Sequence, residues 1–166
     1  ELTTGTCGEI VIGQKLGIMM QEFDPQGGLD TSSDGPLRTA TQARGVMTGE
    51  VAGMGLFSGL IVETTLDPAR QPFLYDHQIS QTPVLPGVMG IEAMAEAAKL
   101  IFPDRFVGAV EDVHFLSPFK FYRGQPRTVA VHAVFSMDKE DIIAECTLIG
   151  SRTRPGQSEP EETKHS

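Results

Sequence analysis

A two-layer α+β domain, with one long helix against an antiparallel sheet, is the fold class this 166-residue sequence predicts. Two observations predict it. Residues 86–101 form an Ala-rich helical pattern that opens on Pro86 and is stopped by Pro103. Strand-like runs joined by short links follow that helix, and short links favour antiparallel pairing over parallel crossover units.

The elements follow in chain order. Apolar runs at 10–12 and 16–20, bounded by Gly8, Gly13 and Gly17, predict strands or strand-plus-turn. The glycine spacing does not make a nucleotide loop, because no Gly-Lys-Ser/Thr follows it. Residues 22–43 are rich in Gly, Pro, Asp, Ser and Thr and read as a linker. Residues 46–51 and 56–66 are strand-like, with Gly59 as a candidate bulge. Asp67-Pro68 opens a turn, and residues 71–75 are expected as a loop with aromatic anchors. In the helix, Val88, Ile91, Ala95 and Ala98 are expected to form the inward stripe. Strands are expected at 106–115, 128–137 and 142–150, the last two joined by a polar hairpin turn at 138–141. Residues 151–166 carry no core pattern and read as a polar linker or loop, with His165 in solvent.

Composition narrows the function classes. A formal charge of −9 leaves no basic stripe to meet nucleic-acid phosphates and disfavours an anionic membrane surface. No apolar run approaches the ~20 residues that span a bilayer as a helix. The two cysteines, Cys7 and Cys146, lie far apart in no metal-ligand spacing, so neither a zinc site nor a disulfide framework is expected. A reduced, cytoplasmic setting follows. The chain begins at Glu1, and a piece cut from a longer polypeptide is expected.

Residues 75–100 concentrate the chemistry. His77 can hold or release a proton near neutral pH, although a lone loop histidine often only bonds backbone. Pro86-Gly87-Val88 opens the helix. A helix N-terminus presents unpaired N–H groups and partial positive charge, and Gly87 lets a carbonyl come close. Glu92 lies six residues into the helix, as a proton donor facing a cleft or as part of a solvated face with Glu96 and Lys99. His114 and His132 lie on strand patterns and read as structural. No Ser-His-Asp elbow or metal cluster is present in the pattern.

The segment DHQISQTPVLPGVMGIEAMAEAA, residues 76–98, resembles the active-site segment of hot-dog-fold dehydratases from polyketide and fatty acid synthases. The polyketide pattern is His-x-x-x-Gly-x-x-x-x-Pro. His77 and Pro86 keep that spacing, and Gln81 stands at the Gly position. The Pro-Gly followed by Glu-Ala-Met-Ala is similar to the stand-alone β-hydroxyacyl-carrier-protein dehydratases, with a His-to-acid interval one residue longer. A weaker likeness runs over residues 48–150. Residues 1–43 would then hold the tail of a preceding reductase-like domain plus a linker, and 44–150 the hot-dog domain.

The resemblance implies a hot-dog fold, a long helix wrapped by an antiparallel sheet, as a single unit or half of a double one. It implies loss of water from a (3R)-hydroxyacyl thioester on an acyl carrier protein. His77 would take the α-proton and Glu92 would protonate the leaving hydroxyl. Gly87 N–H would hold the thioester oxygen, with Pro86 and Val88 beside it, and the Pro86 carbonyl would orient the imidazole. No metal or organic cofactor is implied. Other synthase domains and a homodimer are the expected partners. In modular polyketide dehydratases the acid comes from a second hot-dog unit, which this chain is too short to contain. A hot-dog thioesterase and a non-catalytic acyl-binding or dimerisation module are the alternatives, and a bulky Gln81 crowding the His loop would favour the latter.

Overall fold

The computed structural model describes residues 23–24, 28–29, 45–55, 59–102, 105–139, 141–152 and 161–166. The strands expected at 8–20 and most of the expected linker lie outside the described residues. Within that linker, β1 (Phe23–Asp24) pairs antiparallel with β2 (Gly28–Leu29).

Among the described residues the main sheet has five strands: β3 (Glu50–Gly55), β4 (Gly59–Leu66), β7 (Arg127–Asp138), β8 (Asp141–Arg152) and β9 (Glu161–Lys164). They lie in that order, and every neighbouring pair is antiparallel. A two-strand hairpin, β5 (Gln78–Ile79) and β6 (Thr82–Pro83), stands apart from it. A five-residue helix, α1 (Pro72–Asp76), precedes the hairpin, and α2 (Gly87–Ile101) follows it. One antiparallel sheet with one long helix fits an α+β hot-dog fold.

Period-two alternation builds the inner face. Leu60, Val62, Thr64 and Leu66 of β4 point inward, as do Val129, Val131 and Ala133 of β7. The register aligns Val51, Val62, Val131 and Leu148 in one cross-strand row. Helix α2 packs its own inner stripe, Gly90, Ala93, Ala97 and Leu100, against this face. That stripe differs from the expected one, and Val88 is 70% exposed. The cause is steric. A Cβ on Gly90 would lie in contact with Leu148 Cδ2 at 3.4 Å, so a side chain larger than alanine there would have to displace Leu148.

Three other expectations are corrected. Residues 71–75 are largely the short helix α1. Pro72 sits in its first turn, Gln71 N–H donates to Asp67 O, and the segment is anchored by fully buried Leu74 and by Phe73 packed on the core, whereas Tyr75 is 67% exposed. Residues 106–115 are irregular, because Asp112 adopts a left-handed φ of 51° that interrupts any extended run. The bulge of the first hairpin lies between Val51 and Gly53, whereas Gly59, with φ 68°, starts β4 where a Cβ would collide with Ala133 O.

The tail expected to be linker is partly sheet. Strand β8 runs to Arg152, and β9 pairs Lys164 with Ile149 and Thr163 with Gly150. His165 is 7% exposed, not solvated. Its ring meets Phe119 edge-on at 5.0 Å, and Nδ1 lies 3.0 Å from Ser117 O. Arg127 stacks its guanidinium 4.2 Å over the other partner of that ring, Phe119. Gly150 is what admits this cluster, since a Cβ there would overlap both Phe119 and His165. Burial pushes the His165 imidazole below its ordinary value. Arg127 adds to that push, and the Ser117 hydrogen bond opposes it.

Glu96 is also not on a solvated face. Its carboxylate accepts Met47 N–H at 2.9 Å and Thr48 Oγ–H at 2.6 Å, and Thr64 donates to Met47 O at 2.8 Å. The helix is thereby stitched to the turn that enters β3, which is why residues 46–49 turn and do not extend as strand. Glu96→Ala would leave the Met47 N–H unpaired at a fully buried residue. We expect a loss of about 2 kcal/mol in urea unfolding, with Glu96→Gln losing less because its amide oxygen still accepts.

Candidate active site

Hairpin β5–β6 sets the position of His77. His77 and Val84 flank it, and they exchange two bonds. Val84 N–H donates to His77 O at 3.0 Å, and His77 Nδ1 lies 2.8 Å from Val84 O. A carbonyl can only accept, so Nδ1 carries the proton and Nε2 keeps a free lone pair. That is the tautomer a general base needs. The carbonyl that orients the imidazole is therefore Val84's. The Pro86 carbonyl is occupied by Met89 and Gly90 N–H within the helix start.

The hairpin turn is Ser80-Gln81, with φ of 49° and 60°. Positive φ at both central residues marks the mirror-image turn that matches strand twist. This accounts for the family glycine at position 81 in physical terms: the position is left-handed, where a side chain costs ~1–2 kcal/mol. Gln81 itself is exposed at the tip of the hairpin. Gln81→Gly is thus expected to raise stability by about 1 kcal/mol, read as a higher urea midpoint with the m-value unchanged.

The hairpin is braced from below. Phe121 N–H donates to Pro83 O at 2.8 Å, Leu85 N–H donates to Phe119 O at 3.0 Å, and Val84 bridges Lys120. Phe119 and Phe121 are both buried and meet edge-on at 5.2 Å. Residues 118–121 therefore carry the hairpin on the core.

Three residues beyond Val84, α2 begins. Pro86 supplies no side-chain cap. Among the described residues, the N–H groups of Gly87 and Val88 have no acceptor, as expected for a first helical turn. A cavity of about 470 Å³ opens at this end. Pro86, Gly87, Gly90 and Ile91 form its helix wall, Phe115 and Leu116 face them, and Leu148, Phe119 and His165 close its inner side. The wall is apolar save for a few groups, the make-up of a site for an aliphatic chain.

Of the residues expected from sequence, Pro86 and Gly87 lie on the cavity wall. His77 is exposed and enters the wall only through its partner Val84. The Val88 side chain points to solvent, leaving its N–H as the part that can serve the site. Glu92 is exposed and off the wall, and among the described residues no hydrogen bond or ion pair joins it to His77. The contributions of Val84, Phe115, Ser117 and His165 were missed. Val84 acts through its backbone, which leaves no mark in side-chain chemistry. Phe115 and His165 reach the site only through tertiary placement. Among the described residues no group of three or more His, Cys, Asp or Glu could hold a metal, and no helix is long and apolar enough to cross a membrane. Cys146 is half-buried, and burial pushes its thiol up to about 11, so it is not a nucleophile at neutral pH.

No curated protein and no solved structure matches the chain. A family model, the polyketide synthase dehydratase domain, matches residues 52–143, which is more than half of the chain. The match takes in the hairpin with His77, the whole of α2 and the segment that faces its N-terminus. With the His77 hairpin and a helix N-terminus at an apolar cavity inside that span, the chain belongs to the polyketide synthase dehydratase domain family.

Proposed function

We propose that this chain is a hot-dog unit, its sheet wrapped around α2, that supplies the base for dehydration of a (3R)-hydroxyacyl thioester carried on an acyl carrier protein. The product is the 2-enoyl thioester, within polyketide or related fatty acid synthesis in the cytoplasm. The observation that carries the reading is the His77–Val84 pair. It holds the imidazole with Nε2 free, on a hairpin that runs directly into the helix start.

In this reading Nε2 of His77 takes the α-proton. Negative charge builds on the thioester oxygen, and the Gly87 N–H, aided by Val88 N–H and the helix dipole, holds it. Pro86 fixes the helix start, and the acyl chain lies in the apolar cavity. The β-hydroxyl then leaves as water once an acid protonates it. Glu92 is that acid in a single-unit site. Its exposure, and its place off the cavity wall, favour a second hot-dog unit as the source, from a homodimer partner or from an adjoining part of the synthase.

The test is incubation with a 3-hydroxyacyl carrier protein, followed by mass spectrometry, in the isolated chain and in the intact synthase. Enoyl product, 18 Da lighter by loss of water as the chemistry requires (roughly, at unit mass), supports the reading. Free acid would indicate a thioesterase, and binding without turnover in the intact synthase a passive acyl module. Full activity of Glu92→Gln would assign the acid to the second unit.

A further inference from the structure

The N-terminus of α2 meets the cavity beside an aromatic ring. The ring of Phe115 lies on Gly87: a Cβ built there would fall 2.6 Å from Phe115 Cε1 and 3.0 Å from Cζ. Both residues line the same cavity. Yet Phe115 is not a core residue. It is 65% exposed and closes a segment without regular structure, after the left-handed break at Asp112. The chain is pinned only just beyond it. Leu116 N–H donates to His165 O at 3.0 Å, and Ser117 Oγ donates to Lys164 O at 3.0 Å. So the ring sits at the last position before a fixed anchor, against the helix start yet largely exposed to water.

From this geometry we propose that Phe115 is a specificity-determining residue that selects acyl groups unbranched at the α-carbon. The inference rests on the dehydratase reading above. An oxygen held by Gly87 N–H, about 2.9 Å away, places the carbonyl carbon and the α-carbon next to the Gly87 Cα. That is the space the Phe115 ring touches. A methylene at the α-position fits beside an aromatic face, whereas an α-methyl group projects into it. The ring must then leave a surface it packs against, and one misplaced methyl in an apolar pocket costs ~1–3 kcal/mol. Gly87 contributes by having no side chain, which lets the ring come this close.

The experiment measures binding, so it does not need the catalytic acid. Pantetheine amides of an unbranched 3-hydroxyacyl chain and of its 2-methyl counterpart keep the carbonyl acceptor and cannot be hydrolysed as thioesters. Their Kd values are measured by isothermal titration on the full chain, for wild type, Phe115→Ala and Phe115→Trp. Wild type should prefer the unbranched amide by about tenfold. Phe115→Ala should bind the two within about threefold, chiefly by gaining affinity for the branched one, and Phe115→Trp should widen the gap. Because the side chain is mostly exposed, both variants should unfold at the wild-type urea midpoint. An unchanged ratio in Phe115→Ala, or no binding of either amide to wild type, overturns the proposal. Failure of the dehydratase reading shows separately, as absent enoyl product from the intact synthase.

Discussion

His77→Ala should lower kcat for dehydration by about 10³-fold while KM changes little. A positioned general base is worth ~10²–10⁴ in rate. In the proposed function the cavity and the helix N-terminus bind the substrate without the imidazole, so KM should be spared. The fold is spared as well. His77 is exposed, and its loss removes one hydrogen bond to Val84 O, a matter of about 1 kcal/mol. His77→Gln sharpens the result, because its amide N–H can still bond the Val84 carbonyl but cannot accept a proton. Both variants should be equally inactive and should unfold within about 1 kcal/mol of wild type. Retention of the wild-type rate in either would remove His77 from the mechanism.

The parts of this site legible in the sequence are those that depend on local chemistry. Pro86 stands at the helix start because it lacks a donor where none is needed, and the helix ends at Ile101 as the pattern predicts. The alternation of Val129, Val131 and Ala133 is read directly as an inner face, and the structure keeps it. The His77-to-Pro86 interval likewise corresponds to one hairpin, one bridge and one helix start. What was not legible depends on distance between backbones. Helical spacing alone points to Val88, Ile91, Ala95 and Ala98 as the inward stripe. The structure instead buries Gly90, Ala93 and Ala97, and at Gly90 a side chain larger than alanine would have to displace Leu148. Glu96 could not be told from Glu92 by spacing, since both sit on polar-looking turns of α2. Only the buried turn at Met47 separates a carboxylate with two donors from one in solvent. The tail failed for a related reason. Its composition is that of a linker, and a four-residue strand at a sheet edge needs no hydrophobic run when one residue, His165, does the packing.

The second large effect concerns Phe121. It is fully buried, and truncation to alanine removes a whole aromatic ring from the core, which costs ~3–5 kcal/mol when neighbours cannot collapse into the space. Collapse is restricted here. Phe119, its edge-on partner, is itself held under the Arg127 guanidinium and against His165, so it cannot swing across without opening that cluster. Phe121→Ala should therefore lower the unfolding free energy by about 4 kcal/mol, a large part of what a domain of this size possesses. The comparison is Phe106→Ala, which removes the same ring from a residue 87% exposed and should shift stability by less than about 0.5 kcal/mol. The loss should also reach the site. Phe121 N–H holds Pro83 O, and Pro83 pairs with Gln78, the residue next to His77. Below the temperature at which Phe121→Ala unfolds, hydrogen exchange at Val84 N–H should be faster than in wild type, and dehydration slower with no change at the imidazole. A milder Phe121→Leu, which keeps most of the volume, should lose about half as much stability. Equal stability for Phe121→Ala and Phe106→Ala would mean that residues 118–121 do not carry the hairpin.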